Sequence, residues 1–193
     1  MEKEIFKERG RSLEEEYFKK HEAKLIEKLR ERGRLDAIAE ELAIKLQVDN
    51  PQLLRRIMAL GVTLDTGPAF LLAPLVQVAW AEGAVTDRER ETVLRIAARR
   101  GVEKGSPAYA ELEKWLRDRP EDVLFDTAAE TIKAGLSVLT PEERADRIKR
   151  IVDACHEVAS ASGGLGRLIG LGSGVSSEEE ALLDGISSKL RAR

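Results

Sequence analysis

Side chains that bind metals or act as nucleophiles are scarce in this sequence. Its one cysteine, Cys155, cannot form an internal disulfide and is compatible with a reducing cytosol. We find no Ser–His–Asp set, no zinc-ligand spacing and no HExxH motif around the two histidines, His21 and His156. Cys155 and His156 are adjacent, but neighbouring helical positions point about 100° apart, so they do not form a nucleophile–base pair. We therefore expect a non-enzymatic protein in which Cys155 is a buried apolar residue.

The sequence also lacks a dominant sign of charge and a long apolar run. Its 193 residues include 32 Lys and Arg against 35 Asp and Glu, mixed along the chain, which gives no reason to expect nucleic-acid binding. No stretch approaches the roughly 18 consecutive apolar residues that a membrane span needs. The start, MEKEIFKERGR, lacks the apolar core of a secretory signal. We therefore expect a cytoplasmic protein with no transmembrane segment, which can be recruited to a membrane-bound complex.

The alternation of apolar and polar residues that is typical of strands is missing as well. Apolar residues instead recur at spacings of three and four, which is typical of helices. Helix starts are marked by a capping residue before proline or by a capping box, at Asn50-Pro51, Ser106-Pro107, Thr140-Pro141, Thr86 with Glu89, and Ser176 with Glu179. The sequence therefore predicts an all-α fold, a compact helical bundle, with helices at 2–32, 34–47, 51–60, 67–82, 87–100, 107–117, 121–137, 141–161 and 177–191.

The composition divides the chain near Gly33. Residues 1–33 are predicted to form a charged, amphipathic helical arm with a narrow apolar stripe, and residues 34–193 a compact domain with broader apolar faces. Within that domain, 78–97 and 158–186 share a helix end, a glycine turn and a capping glutamate, which predicts two weakly related halves. The second copy carries a glycine-rich insert, 163–174, which follows a helix and does not match the spacing of a phosphate-binding loop.

Acidic residues cluster around the turn in the first copy, at Glu82, Asp87 and Glu89. Carboxylate oxygens are the ligands that hard divalent cations prefer, so the turn is a candidate metal site. The same residues also suit helix capping, since Thr86 and Glu89 have capping-box spacing and Asp87 favours the positive end of the helix dipole. A divalent metal at this turn is therefore an alternative prediction, and no other cofactor is expected.

The segment LLAPLVQVAWAEGAVTDRERETVLRIAARRGV, residues 71–102, resembles the tellurite-resistance TerB-like helical family. Members of that family carry an Ala-x-x-[Asp/Glu]-Gly-x-Val turn followed by a glutamate, matched here by Ala79, Glu82, Gly83, Val85 and Glu89. The resemblance extends over about 51–193, with GVSSEEEALLDGI as a second such turn. It implies an all-helical, non-enzymatic module with roles in stress responses or membrane-associated complexes, and with metal binding in some members.

Aromatic residues are few, yet three of them lie among the first 18 positions. The segment FKERGRSLEEEYFKKHEAKLIEKL, residues 6–29, resembles the inhibitory helix of the mitochondrial-type ATPase inhibitor family. The matching positions are Phe6, Arg9, Glu14, Glu15, Tyr17, Phe18 and Leu29. The chain departs from the family at Glu8, which replaces a lysine, and at Gly10, which replaces an acidic residue. The family's dimerising coiled coil is absent, and a helical domain follows instead, as in an alpha-proteobacterial inhibitory subunit.

That resemblance implies a protein partner for the arm, the catalytic head of the F-type ATP synthase, whose hydrolysis the arm would inhibit. Aromatic side chains at Phe6, Tyr17 and Phe18 would fill apolar pockets, and Arg9, Glu14 and Glu15 would make charge-assisted contacts. The predicted partner-binding set is completed by Leu13, Leu25 and Leu29 of the apolar stripe. Two simpler alternatives remain open at this point: the arm folds back onto the bundle, or it pairs with a second copy as a short coiled coil.

Overall fold

A computed structural model of the chain contains only α-helices in the part that it describes, residues 2–161 and 175–192, with side chains from residue 19 onward. This confirms the predicted all-α class. The helices are α1 Glu2–Leu46, α2 Pro51–Ala59, α3 Gly67–Phe70, α4 Ala73–Ala79, α5 Asp87–Arg99, α6 Pro107–Arg117, α7 Asp122–Ser137, α8 Pro141–Ala159 and α9 Ser177–Arg191. The glycine-rich segment 163–174 lies outside the described residues.

The predicted capping residues begin the helices that follow them. Asn50 accepts hydrogen bonds from the backbone of Gln52 and Leu53 at the start of α2, with proline at the first helical position. Capping boxes begin α5, α8 and α9. These side chains satisfy backbone N–H groups that have no partner within their own helix, which is why the sequence located the starts so closely.

The first helix does not break at Gly33. The sequence predicted separate helices over 2–32 and 34–47, whereas α1 runs without interruption from Glu2 to Leu46. A Cβ placed on Gly33 would meet nothing within 4 Å, so the position is open and carries no packing constraint. A lone glycine costs a helix about 1 kcal/mol relative to alanine, which is too little to end it. The chain forms two compact units, Met1–Glu41 and Leu42–Arg193, which divide further along α1 than the predicted boundary.

The predicted helix 67–82 is wrong, because the structure has two short helices there. α3 ends at Phe70 and α4 begins at Ala73, with turns at Leu71 and Leu72 between them. Pro74 accounts for the break: it lacks an N–H group, and its ring would clash with the carbonyl group of Phe70 four residues earlier.

Helix α4 lies at the centre of the second unit. It packs against five other helices, α5, α6, α7, α8 and α9. Its buried residues are Ala73, Pro74, Leu75, Val76, Val78 and Ala79. Fully burying a leucine or valine side chain contributes about 1.5–3 kcal/mol. Leu42 and Leu46, in the last turns of α1, belong to the same core. This helical bundle is the scaffold that places the candidate sites.

Candidate functional site

Exposed apolar side chains concentrate on α1. Among the residues whose side chains the structure describes, seven large apolar side chains are exposed, and four of them lie between residues 25 and 35. Leu25 is 54% exposed, Ile26 44%, Leu29 61% and Leu35 51%. Leu25 and Leu29 are one helical turn apart and therefore lie on the same face. The remaining positions from residue 19 to residue 34 are also exposed and are mostly charged.

The structure places two of the predicted partner-binding residues, Leu25 and Leu29, on this exposed face. The other predicted residues lie within the helical backbone of α1, but their side chains fall outside the described set: Phe6, Arg9, Leu13, Glu14, Glu15, Tyr17 and Phe18. Ile26 and Leu35 are also exposed but were not among the predicted partner-binding residues. Leu35 was assigned to the compact domain because the composition changes there, yet it is half exposed.

The turn between α4 and α5 is organised by a capping box. The Thr86 backbone N–H and side-chain hydroxyl both donate to Glu89 Oε2, each at 2.7 Å, and the Glu89 N–H donates to Thr86 Oγ1 at 3.2 Å. Glu89 is only 2% exposed, whereas Glu82 and Asp87 are exposed. Burial raises the pKa of Glu89, hydrogen bonds from Thr86 act against this shift, and the charges of Glu179 and Glu82 add to it.

The three acids of this turn are not brought together as a set of metal ligands. Within the described residues, no group of three or more His, Cys, Asp or Glu side chains is placed to hold a metal ion. One carboxylate oxygen of Glu89 is already engaged by Thr86. The geometry of the turn therefore fits helix capping.

The second copy of the repeat has the same capping arrangement at the start of α9. The Ser176 N–H donates to Glu179 Oε2 at 2.8 Å, and the Glu179 N–H donates to Ser176 Oγ at 3.2 Å. Glu179 is fully buried, and Glu89 is almost fully buried. The negative charge of Glu179 raises the pKa of Glu89. The spacing of Thr86–Glu89 and Ser176–Glu179 predicted the caps but not the burial of both glutamates. Nothing in a local pattern could have shown that two carboxylates would lie so deep in one core.

The cysteine–histidine pair is not a nucleophilic site. Cys155 is fully buried, and burial raises the pKa of its thiol to about 12. The thiolate is the nucleophilic form, so a thiol in this state is unreactive near neutral pH. His156, the next residue of α8, is exposed. The prediction that Cys155 is a buried apolar residue is confirmed.

Comparison of the chain with protein-family models, with curated proteins and with solved structures found no match. The two family resemblances drawn from the sequence therefore stay predictions. Across the ranges that the structure covers, none of the helices has the combined length and apolar character that crossing a membrane requires. The exposed apolar face of α1 is the feature that most needs a functional explanation, because large apolar side chains are seldom grouped on the surface without a partner.

Proposed function

We propose that the part of α1 before Leu42 is a docking helix for another protein, and that its partner is the catalytic head of an F-type ATP synthase, whose ATP hydrolysis it inhibits. The observation that carries the proposal is the exposure of Leu25, Ile26 and Leu29 on one stretch of helix. An amphipathic helix that lays its apolar residues in a groove is a recurrent mode of recognition.

The energetics support docking as the use of this surface. Fully burying an exposed leucine contributes about 1.5–3 kcal/mol, so Leu25 and Leu29, which are 54% and 61% exposed, would each contribute part of that amount toward the cost of association. The backbone of residues 2–46 is already helical, which lowers the ordering cost that a disordered segment would incur on binding. Charged side chains around the stripe favour a groove with complementary charges, which adds specificity and speeds association.

The choice of partner rests on the resemblance of residues 6–29 to the ATPase inhibitor helix. In this mechanism the helix enters an interface between catalytic subunits and prevents the conformational changes that hydrolysis requires. Phe6, Tyr17 and Phe18 anchor the helix in apolar pockets, as aromatic residues often do in interfaces. Arg9 makes charge-assisted hydrogen bonds to carboxylates of the partner. The compact unit Leu42–Arg193 then serves as the body to which this helix is joined.

The test compares three versions of the chain in an ATP hydrolysis assay with F-type ATP synthase purified from the same organism. These are the full chain, residues 34–193, and a peptide of residues 1–33. We expect inhibition by the full chain and its loss in 34–193, because the docking residues are gone while Leu42 and Leu46 of the core are kept. Circular dichroism of 34–193 must show a folded helical protein for that loss to count.

Equal inhibition by the full chain and by 34–193 would contradict the proposal. If neither the full chain nor 34–193 inhibits hydrolysis, the ATP synthase is not the partner. Sedimentation analysis of the full chain distinguishes the self-pairing alternative, because a coiled coil through α1 would give a dimer that 34–193 does not form.

A further inference from the structure

A cavity of about 290 Å³ lies within the Leu42–Arg193 unit. Its walls come from the end of α1, the α3–α4 junction, the segment after α5, and parts of α7 and α8. Apolar residues supply most of the wall, among them Leu46, Leu72, Val102, Ile132 and Leu136. Ligand pockets in proteins run from about 300 to 1,000 Å³, so this cavity has the size of a small one.

Three cationic residues line the same cavity: Lys45, Arg100 and Arg147. None of the described residues that line it is an aspartate or a glutamate. Three positive charges therefore border an apolar space with no carboxylate from the wall to balance them. All three residues are exposed to solvent, and together they attract an anion to the cavity.

The two arginines have few partners of their own. The Arg147 side chain makes no hydrogen bond or ion pair with any residue in 2–161 or 175–192. Arg100 donates from Nη2 to the backbone oxygen of Arg150, at a long 3.4 Å. The pKa of Arg100 is lowered, chiefly by partial burial of its guanidinium group although the residue as a whole is exposed, and further by the like charges of Arg147 and Arg99. Lys45 donates from Nζ to the carbonyl oxygen of Leu64 at 2.6 Å, which holds its ammonium group near the cavity and leaves two of its N–H groups for other acceptors.

Two nearby arginines at the α5–α8 interface do have a carboxylate partner. Arg95 and Arg99 of α5 both donate to Glu157 of α8, at 2.6 and 2.7 Å. The α5–α8 interface thus supplies a carboxylate to two arginines and none to Arg100 and Arg147, which border the cavity.

We propose that this cavity binds an amphipathic anion, with an alkyl or acyl chain of medium length and a carboxylate or phosphate head group. The chain packs against Leu46, Leu72 and Leu136, where it is removed from water. The head group accepts hydrogen bonds from Arg100 and Arg147, whose planar guanidinium groups suit both carboxylates and phosphates. Lys45 adds a third positive charge. This binding site does not depend on the proposed function of α1.

Isothermal titration calorimetry of the full chain tests the proposal with four probes: decanoate, decyl phosphate, decanol and inorganic phosphate. We expect saturable binding of one molecule of decanoate or decyl phosphate per chain. Decanol, which keeps the chain and lacks the charge, should bind at least about tenfold more weakly, since charge-assisted hydrogen bonds are lost. Inorganic phosphate, which lacks the chain, should bind more weakly still. The relative affinities of decanoate and decyl phosphate identify the preferred head group.

Two substitutions assign the binding to this cavity. Arg147→Glu should weaken decanoate binding by about tenfold or more, and it breaks no bond within the described part of the chain. Arg100→Glu should also weaken decanoate binding. The control is Arg88→Glu, which makes the same change of charge at an exposed position on α5 outside the cavity lining. It should leave the affinity unchanged.

Three results would overturn the proposal. The first is the absence of binding of both decanoate and decyl phosphate. The second is equal binding of decanol and decanoate, which would mean that the arginines play no part. The third is an equal loss of affinity in Arg88→Glu and Arg147→Glu, which would mean that only the overall charge of the protein matters.

Discussion

The two compact units use helices in opposite ways. In Met1–Glu41, no residue with a described side chain is buried, and Leu25, Ile26 and Leu29 are exposed. In Leu42–Arg193, a continuous core surrounds α4. Helix α1 contains both exposed and buried leucines: Leu35 is 51% exposed, and Leu42, seven residues later, is fully buried. Helical spacing of apolar residues therefore does not show whether a helix packs within its own chain or presents its apolar side chains to another molecule.

The strongest test of this contrast substitutes the two leucines of α1. Leu42→Ala should lower the free energy of unfolding by about 2–5 kcal/mol, because it removes a fully buried side chain from a packed core. Leu35→Ala should change it by no more than about 0.5 kcal/mol, as is usual for exposed positions. Urea denaturation followed by circular dichroism measures both values. Similar costs for the two substitutions would mean that Leu35 belongs to the packed core.

A smaller effect is expected at the turn between α4 and α5. Glu89→Ala should destabilise the protein by about 1–2 kcal/mol, since it removes half of the capping box and leaves space in the core. Glu82→Ala, at an exposed position three residues after the end of α4, is the matched control and should change stability by about 0.5 kcal/mol at most. Equal effects of the two substitutions would mean that Glu89 does not stabilise the protein through the capping box.

The same pair of variants separates capping from metal binding. If the turn holds a divalent ion, calcium or zinc should raise the melting temperature of the unsubstituted protein, and Glu82→Ala should abolish the rise. If the turn serves only to cap α5, neither ion should shift the melting temperature. Thermal denaturation with and without added ion, after treatment with a chelator, decides between the two.

The smallest expected effect is a pH dependence from Glu89. Its pKa is raised in the folded protein, so the folded state binds a proton at this site more tightly than the unfolded state does. Stability from this site is therefore greatest at low pH and falls as pH rises from the unfolded pKa through the folded one. Glu89→Gln removes that titration and keeps an oxygen acceptor for Thr86. The difference in unfolding free energy between Glu89→Gln and the unsubstituted protein should grow in favour of Glu89→Gln as pH rises from about 4 to 7. A flat difference would mean that Glu89 titrates normally.

Much of the fold follows from local signals. Proline after a capping residue and the capping boxes determine where helices start, and each signal lies within four residues of its effect. Two expectations were wrong for local reasons as well. Gly33 was weighted as a helix end although nothing requires one there, and Pro74 was overlooked inside a predicted helix.

The sites are less predictable because they depend on contacts between distant segments. Lys45, Arg100 and Arg147 lie on different helices or just beyond one, and only the packed bundle brings them to one cavity. The burial of Glu89 beside Glu179 likewise depends on how the two copies of the repeat pack. Of the predicted partner-binding residues, only Leu25 and Leu29 have described side chains, and their exposure agrees with a docking surface.

The most direct test of the central claim is a titration of ATP hydrolysis with a doubly substituted full chain, Leu25→Ser with Leu29→Ser, against Ile44→Ser. Ile44 is 73% exposed on the same helix but lies in the Leu42–Arg193 unit, so it controls for the loss of an exposed apolar side chain. We expect that about tenfold or more of the double variant is needed for equal inhibition, while Ile44→Ser inhibits as the unsubstituted chain does. Undiminished inhibition by the double variant would contradict the claim that α1 docks through its exposed leucines.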